Sequence, residues 1–195
     1  MKKLSTYLFL ILFSFSAYSF ADDISEYQVE GISIGDSLLD YFSKDEILDN
    51  THIFCENCRP QNKFSTVMLL ELPSSFKTHS SIQFIIQNDK KYIIHGIEAV
   101  INYGDNIDGC YAKQIEIDKE LSKIFEHKKL LKKTLSIDKS GKSIAINLQY
   151  RNAGDYSGKA NNYCTDWSSK IYFPIYYTVT IATEKLERYK ITKDP

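Results

Sequence analysis

The segment around Cys55 and Cys58 contains the residue types best suited to metal binding or redox chemistry. His52 lies three residues before Cys55, and Cys58 lies three residues after it, so the spacing is His-x-x-Cys-x-x-Cys. Such a set can form a local disulfide, a thiol redox centre, or three of the four ligands of a zinc ion. The sequence offers no second C-x-x-C and no nearby H-x-x-H as a regular source of a fourth ligand. We therefore favour a structural Cys55–Cys58 disulfide, with zinc binding by His52, Cys55 and Cys58 or redox chemistry as the alternatives.

The residues after Cys58 argue against two more specific uses of the pair. Covalent haem attachment requires a histidine directly after the second cysteine, and position 59 is Arg. A thioredoxin-like motif is expected beside a βαβ pattern, whereas the polar residues that follow Arg59 indicate a loop.

The segment from Gly35 to Leu38 reads Gly-Asp-Ser-Leu, the motif that names one class of serine esterases, and Asp49 to His52 reads D-x-x-H. A serine nucleophile needs a histidine base, an acid that orients the histidine, and donors for the oxyanion. In that class the D-x-x-H pair comes near the C-terminus, and this chain has no histidine after His127. We therefore disfavour a GDSL-type hydrolase and predict a tight glycine turn with Asp36 as a helix cap.

The N-terminal segment 1–21 has the properties of a cleavable secretory signal. Lys2 and Lys3 precede an uncharged, strongly apolar run, and Ser19 and Ala21 are small residues placed for cleavage before Asp22. The apolar run is shorter than the roughly 20 residues that span a bilayer. The sequence thus predicts a signal peptide at 1–21, a single exported domain at 22–195, and a periplasmic or secreted location.

All four cysteines lie after residue 21, and an even number in an exported chain predicts disulfides. We predict that Cys110 pairs with Cys164, in addition to the Cys55–Cys58 bond. Cys110 shares a predicted helix face with Ile117 and Leu121, so it should point into the core. Cys164 lies close to Trp167, the only tryptophan, which could pack on a buried bridge.

The charge pattern limits the partners of the protein. The chain has 24 Lys and Arg against 25 Asp and Glu, a formal net charge of −1. Nucleic-acid binding favours clustered positive charge, so we expect no nucleic-acid partner. The basic residues between Lys128 and Lys133 predict a solvated helix end rather than a membrane-binding patch. No apolar run after residue 21 has the length of a membrane span, and we expect no cofactor.

Two helices and several strands are predicted from periodicity. Ser43 and Glu46 have the spacing of a capping box, and a longer amphipathic helix should run from about Asn106 or Asp108 to about His127. Alternation of apolar and polar residues predicts the strands, which lie at 66–72, 81–87, 92–103, 135–138, 143–151 and 175–181. Helices followed by runs of strands indicate an α+β fold with antiparallel sheet, arranged as one domain or as two similar α+β halves that meet near residue 104.

Several segments carry a resemblance to a group of small uncharacterised exported proteins of marine bacteria. They are the opening from Glu30 to Ser43, EGISIGDSLLDYFS, the helix that contains Cys110, and the segment in which Cys164 is followed by Asp166, Trp167 and Ser168. The resemblance implies export. It implies no activity, because that group has none assigned, and it does not include segment 50–65.

The sequence therefore favours an exported periplasmic protein that binds a small ligand or an envelope protein and is not an enzyme. The alternative hypothesis is a thiol/disulfide or zinc-dependent protein that uses Cys55, Cys58 and His52. The fourteen tyrosines are mostly expected in the core, because they lie on alternating strands.

Overall fold

A computed structural model gives the structure of the chain. It describes residue 24 and residues 27–55, 62–69, 72–125, 129–136, 144–151, 159–166 and 174–191. The predicted signal peptide at 1–21, Cys58 and Trp167 lie outside the described residues.

The elements in the first part of the chain are short helices and strands. In chain order they are β1 (Gln28–Val29), β2 (Ile32–Ser33), a 3₁₀ helix (Leu38–Asp40), α1 (Lys44–Asp49), β3 (Thr51–Ile53), β4 (Phe64–Leu69), β5 (Ser81–Gln87) and β6 (Ile94–Gly104). The second part contains α2 (Ile107–Ile124), β7 (Lys129–Ser136), β8 (Ile144–Arg151), β9 (Lys159–Asp166), β10 (Ile175–Ala182) and α3 (Glu184–Ile191).

The fold is α+β and is built on one large antiparallel sheet, as predicted. Strands β1 and β2 form a small hairpin, and the other eight strands form a sheet in the order β3-β4-β5-β6-β10-β9-β8-β7. Each part of the chain, before and after Gly104, contributes four consecutive strands. The last strand of each set, β6 and β10, pair at the centre of the sheet, with Ala99 opposite Val179.

Side-chain caps begin both predicted helices. Ser43 and Glu46 form the predicted capping box at the start of α1, and Asn106 accepts a hydrogen bond from the Gly109 N–H at the start of α2. The predicted cap at Asp36 is wrong, because Ser37 caps the 3₁₀ helix. The Asp36 carboxylate instead accepts hydrogen bonds from the Ser33 N–H and the Tyr41 hydroxyl, and these bonds close the turn around Gly35.

Helix α2 covers one face of the sheet, and this layer contains the main core. Cys110 and Cys164 are fully buried and form the predicted disulfide, with their Cα atoms 5.9 Å apart. One turn further along α2, the buried Gln114 amide donates to the backbone carbonyls of Ile146 on β8 and Asn162 on β9. A covalent bond and two hydrogen bonds therefore hold the helix on the second half of the sheet.

Helix α3 covers one end of the opposite face. Leu186 and Tyr189 pack there with Phe64, Ile85 and Ala182 in a second, smaller core cluster. Gly96 lies beneath the helix, where an added Cβ would lie 2.8 Å from Leu186 Cδ2 and 2.8 Å from Ile85 Cδ1. The absence of a side chain at this position lets α3 approach the sheet.

The structure of the second half differs from the sequence prediction in three respects. The basic residues from Lys129 to Lys133 lie on the edge strand β7 and not at a helix end, because α2 already ends at Ile124. Strand β9 and helix α3 were not predicted at all. In β9 the fully buried Asn162 occupies a core position, which interrupts the apolar alternation by which strands are identified.

Candidate functional site

The face of the sheet opposite α2 is polar where α3 does not cover it. A cavity of about 530 Å³ lies on this face. Most of its lining consists of two rows of side chains that cross the central strands. The first row crosses β5, β6, β10 and β9 and contains Ser81, Val100, Thr178 and Tyr163. The second row crosses β6, β10 and β9 and contains Asn102, Tyr176 and Thr165. We call these two rows the polar groove.

Strand pairing alone places these residues together. Thr178 is opposite Val100 on β6 and also opposite Tyr163 on β9. Side chains two residues apart in a strand point to the same face, so Tyr176 and Thr178 belong to one surface. The core residues Tyr177 and Val179, which alternate with them, face α2 and are almost fully buried.

The lining of the polar groove consists of hydroxyls, one amide, two aromatic rings and the apolar side chain of Val100, and none of the described lining residues is charged. A charged residue borders it: the Glu98 carboxylate accepts a hydrogen bond from the Thr180 hydroxyl at 3.2 Å. Burial and the nearby Glu98 charge raise the pKa of Tyr163, and its hydrogen bond with Thr178 opposes the shift. The Tyr163 phenol is therefore neutral near pH 7 and offers both a donor and an acceptor.

Two amide oxygens next to the groove have no hydrogen-bond partner. Asn147 is directly opposite Tyr163 on β8, and Asn161 lies two residues before Tyr163 on β9. Within the part of the chain that the structure describes, the Oδ1 atoms of Asn147 and Asn161 are buried and unpaired. A buried acceptor without a donor is costly, by about 1–3 kcal/mol, and such atoms call for an explanation. These two oxygens lie on the same face as the groove, on two sides of Tyr163.

A second cavity, of about 600 Å³, lies near the 3₁₀ helix and α1. Leu39, Leu48 and Tyr92 contribute to its lining together with Lys44 and Lys90. Leu39 and Leu48 are exposed. The polar groove is the better-defined candidate, because the pairing of the central strands fixes the positions of its side chains.

The structure describes two of the three residues considered for redox or zinc chemistry. His52 lies on the edge strand β3, and Cys55 is in a disulfide, while Cys58 lies outside the described residues. A sulfur in a disulfide offers no thiolate to a zinc ion. Within the described ranges, no group of three His, Cys, Asp or Glu residues could hold a metal ion.

The Ser37 hydroxyl has a structural role. Its Oγ donates to the backbone carbonyl of Lys91 at 2.7 Å and accepts from the Leu39 N–H at 3.3 Å. These contacts join the 3₁₀ helix to the chain just before β6. Among the described residues, no histidine forms a hydrogen bond with Ser37, so the Gly-Asp-Ser-Leu segment forms a turn and a helix cap there.

Two other histidines are engaged elsewhere. His79 Nδ1 lies 2.9 Å from Glu30 Oε1. His95 Nδ1 lies 3.1 Å from the Thr183 hydroxyl, and its ring packs edge-on against Phe64. Burial, and then the positive charge of Lys185, lower the pKa of His95, which is the behaviour of a half-buried histidine in a packed region.

The polar groove was not predicted from the sequence, although part of its signal was visible. Tyr176, Thr178 and Thr180 alternate with the apolar residues of β10, which already indicates one polar face on that strand. Tyr163 was not placed, because β9 was not predicted.

Among the described residues, no helix combines the length and apolar character needed to span a membrane.

Comparisons with known proteins add no assignment: no protein-family model, no curated protein and no solved structure matches this chain.

Proposed function

We propose that the chain is an exported, non-enzymatic binding protein and that the polar groove is its ligand-binding surface. One observation carries the proposal: a concave surface lined by hydroxyls, an amide and two tyrosine rings lies on the sheet face opposite α2, where α3 does not cover it. Binding sites commonly combine a concave surface with a few polar groups that fix the orientation of a ligand.

Export to the periplasm or beyond is supported by the N-terminal sequence and by a buried disulfide. The first 21 residues have the pattern of a signal peptide. The Cys110–Cys164 disulfide is of a kind that persists in oxidising compartments and is rare in the cytosol. N-terminal sequencing of the protein from its native envelope fraction tests this part, and Asp22 is the expected first residue.

Ser37 and Cys55, the candidate nucleophiles that the structure describes, are both engaged in other bonds. The Ser37 hydroxyl is held between two backbone groups, and Cys55 is oxidised. Neither residue belongs to the polar groove. A binding role therefore agrees better with the geometry than a serine hydrolase or a zinc-dependent protein does.

Ligand mapping by NMR tests the binding function. Residues 22–195, with intact disulfides, are titrated with pools of soluble sugars, peptides and metabolites while amide shifts are recorded. We expect at least one ligand to shift the resonances of Tyr163, Thr178 and their neighbours without moving those of α2. Ligands that shift only other surfaces, or turnover abolished by Ser37→Ala, would contradict the proposal.

A further inference from the structure

We propose that the polar groove binds an uncharged oligosaccharide, with the rings of Tyr163 and Tyr176 as its contact surfaces. This inference rests on the proposed binding function and assigns the chemical class of the ligand. It follows from three properties of the groove: its place in the sheet, its ring and hydroxyl content, and the carboxylate beside it.

The place of the groove in the sheet decides which groups can recognise a ligand. Its floor consists of β5, β6, β10 and β9, which are all interior strands. Each of them is paired on both sides, so their backbone groups are already used in the sheet. A peptide recognised as an added strand needs a free sheet edge. Recognition in the groove must therefore use side chains alone.

The side chains of the groove suit a sugar ring. Tyr163 and Tyr176 are half-buried diagonal neighbours on adjacent strands, since Tyr176 is opposite Thr165 and Thr178 is opposite Tyr163. Tyrosine combines apolar ring area with a polar tip. A sugar has the matching character, with apolar C–H faces and a rim of hydroxyls. Ser81, Asn102 and Thr165 add neutral groups that both donate and accept.

The neutral polar groups of the groove suit a ligand whose groups both donate and accept. A sugar hydroxyl can donate to the Asn102 amide oxygen or to the Ser81 hydroxyl and still accept from a neighbouring threonine. The Glu98 carboxylate narrows the class of ligand further. It lies one row away from the groove, opposite Thr180, and would repel an acidic sugar.

The test is isothermal titration calorimetry on the disulfide-bonded chain 22–195. The probes are neutral hexasaccharides of five kinds: β-1,4-glucan, β-1,3-glucan, α-1,4-glucan, β-1,4-mannan and β-1,4-linked N-acetylglucosamine. We expect at least one probe to bind with a dissociation constant below about 1 mM. Tyr163→Ala and Tyr176→Ala should each weaken that binding by about tenfold, which corresponds to the loss of one ring contact.

Three controls make the result specific. Tyr111→Ala removes another partly buried tyrosine, which lies on α2 on the opposite face of the sheet, and should leave the affinity unchanged. Tyr176→Phe removes only the hydroxyl and keeps the aromatic ring, so it should retain most of the binding that Tyr176→Ala loses. Circular dichroism melting establishes that each variant is folded at the temperature of titration.

The remaining outcomes overturn the inference in distinguishable ways. The competing probes are a hexamer of galacturonic acid and an end-blocked neutral peptide rich in serine and threonine. If either binds the groove more tightly than every neutral sugar, the carbohydrate class is wrong and the binding function stands. If neutral sugars do not bind, or bind equally well to Tyr163→Ala and Tyr111→Ala, the carbohydrate class is also wrong. If no probe of any class shifts groove resonances, the binding function fails too.

Discussion

The carboxylate of Glu30 binds His79 and the backbone around it, although the two residues are 49 positions apart. Glu30 Oε1 lies 2.9 Å from His79 Nδ1 and accepts from the N–H groups of Thr78 and His79, while Oε2 accepts from the Lys77 N–H. Glu30 and Gly31 form the tip of the β1–β2 hairpin, and both have positive φ, at 53° and 83°. The hairpin is therefore anchored to the loop that leads into β5 and the polar groove.

This contact predicts an acid-sensitive contribution to stability. Burial alone would raise the pKa of Glu30, but the hydrogen bonds from His79 and the three N–H groups outweigh it and lower the pKa to about 2. Because the folded pKa is below the ordinary value of 4.5, this stabilisation is fully present above about pH 4.5. It is lost as the pH falls toward 2.

Glu30→Gln should lower the free energy of unfolding at pH 7 by about 2 kcal/mol, because charge-assisted bonds are replaced by weaker neutral ones. Urea unfolding at pH 7 and at pH 2.5 measures the effect. The difference between the original chain and the variant should shrink at the lower pH. A difference that is constant across this range would show that the carboxylate charge is not responsible.

The Cys110–Cys164 bond should be a major source of stability. It closes a loop with a sequence separation of 54 residues, and the chain-entropy model gives roughly 4 kcal/mol for a loop of this length. The double variant Cys110→Ala and Cys164→Ala should lose most of this free energy of unfolding in urea. As a control, full reduction of the original chain should cost at least as much as the double variant, because reduction also opens the Cys55 disulfide that the variant retains. A variant as stable as the original chain would contradict the prediction.

Asn162 should be a position where an apolar substitution stabilises the fold. Its side chain is fully buried between the sheet and α2, and neither of its amide atoms has a hydrogen-bond partner among the described residues. Asn162→Val should raise the free energy of unfolding by about 1 kcal/mol, because the cost of the unpaired amide is removed.

Gln114 provides the matched control for Asn162, since it is a buried amide of the same layer that does have partners. Gln114→Leu should destabilise the protein by about 2 kcal/mol, because two backbone carbonyls lose their donor. Thermal and urea unfolding of both variants compare the signs directly. If both substitutions destabilise the protein, the account of Asn162 is wrong.

Ser37→Ala should lower the stability of the protein and should leave its esterase activity at the background level. The hydroxyl caps the 3₁₀ helix and also binds the Lys91 carbonyl, so its loss should cost about 1 kcal/mol. Hydrolysis of short-chain nitrophenyl esters should equal the buffer background for both proteins. Ser43→Ala, which removes the cap of α1, is the matched control and should cost a similar amount. Ester turnover that disappears in Ser37→Ala alone would restore the hydrolase hypothesis.

The parts of the fold that depend on near neighbours in the chain were predictable. The capping box of Ser43 and Glu46, the amphipathic helix α2 and the bounds of β5 all follow from residues within a few positions of one another. The Cys110–Cys164 pairing was also predictable, since helix periodicity already places Cys110 on the core face. Local hydrogen bonds and the alternation of apolar residues carry this information without a tertiary structure.

Only the tertiary structure decided the polar groove and the exceptions to the local rules. Ser81 and Thr178 are separated by almost half of the chain, and they share a surface because β6 pairs with both β5 and β10. The cap at Ser37 in place of Asp36, the edge strand at Lys129–Ser136 and the buried Asn162 likewise depend on contacts with distant residues. Strand order and register are set by the packing of whole layers, and no short window of sequence contains them.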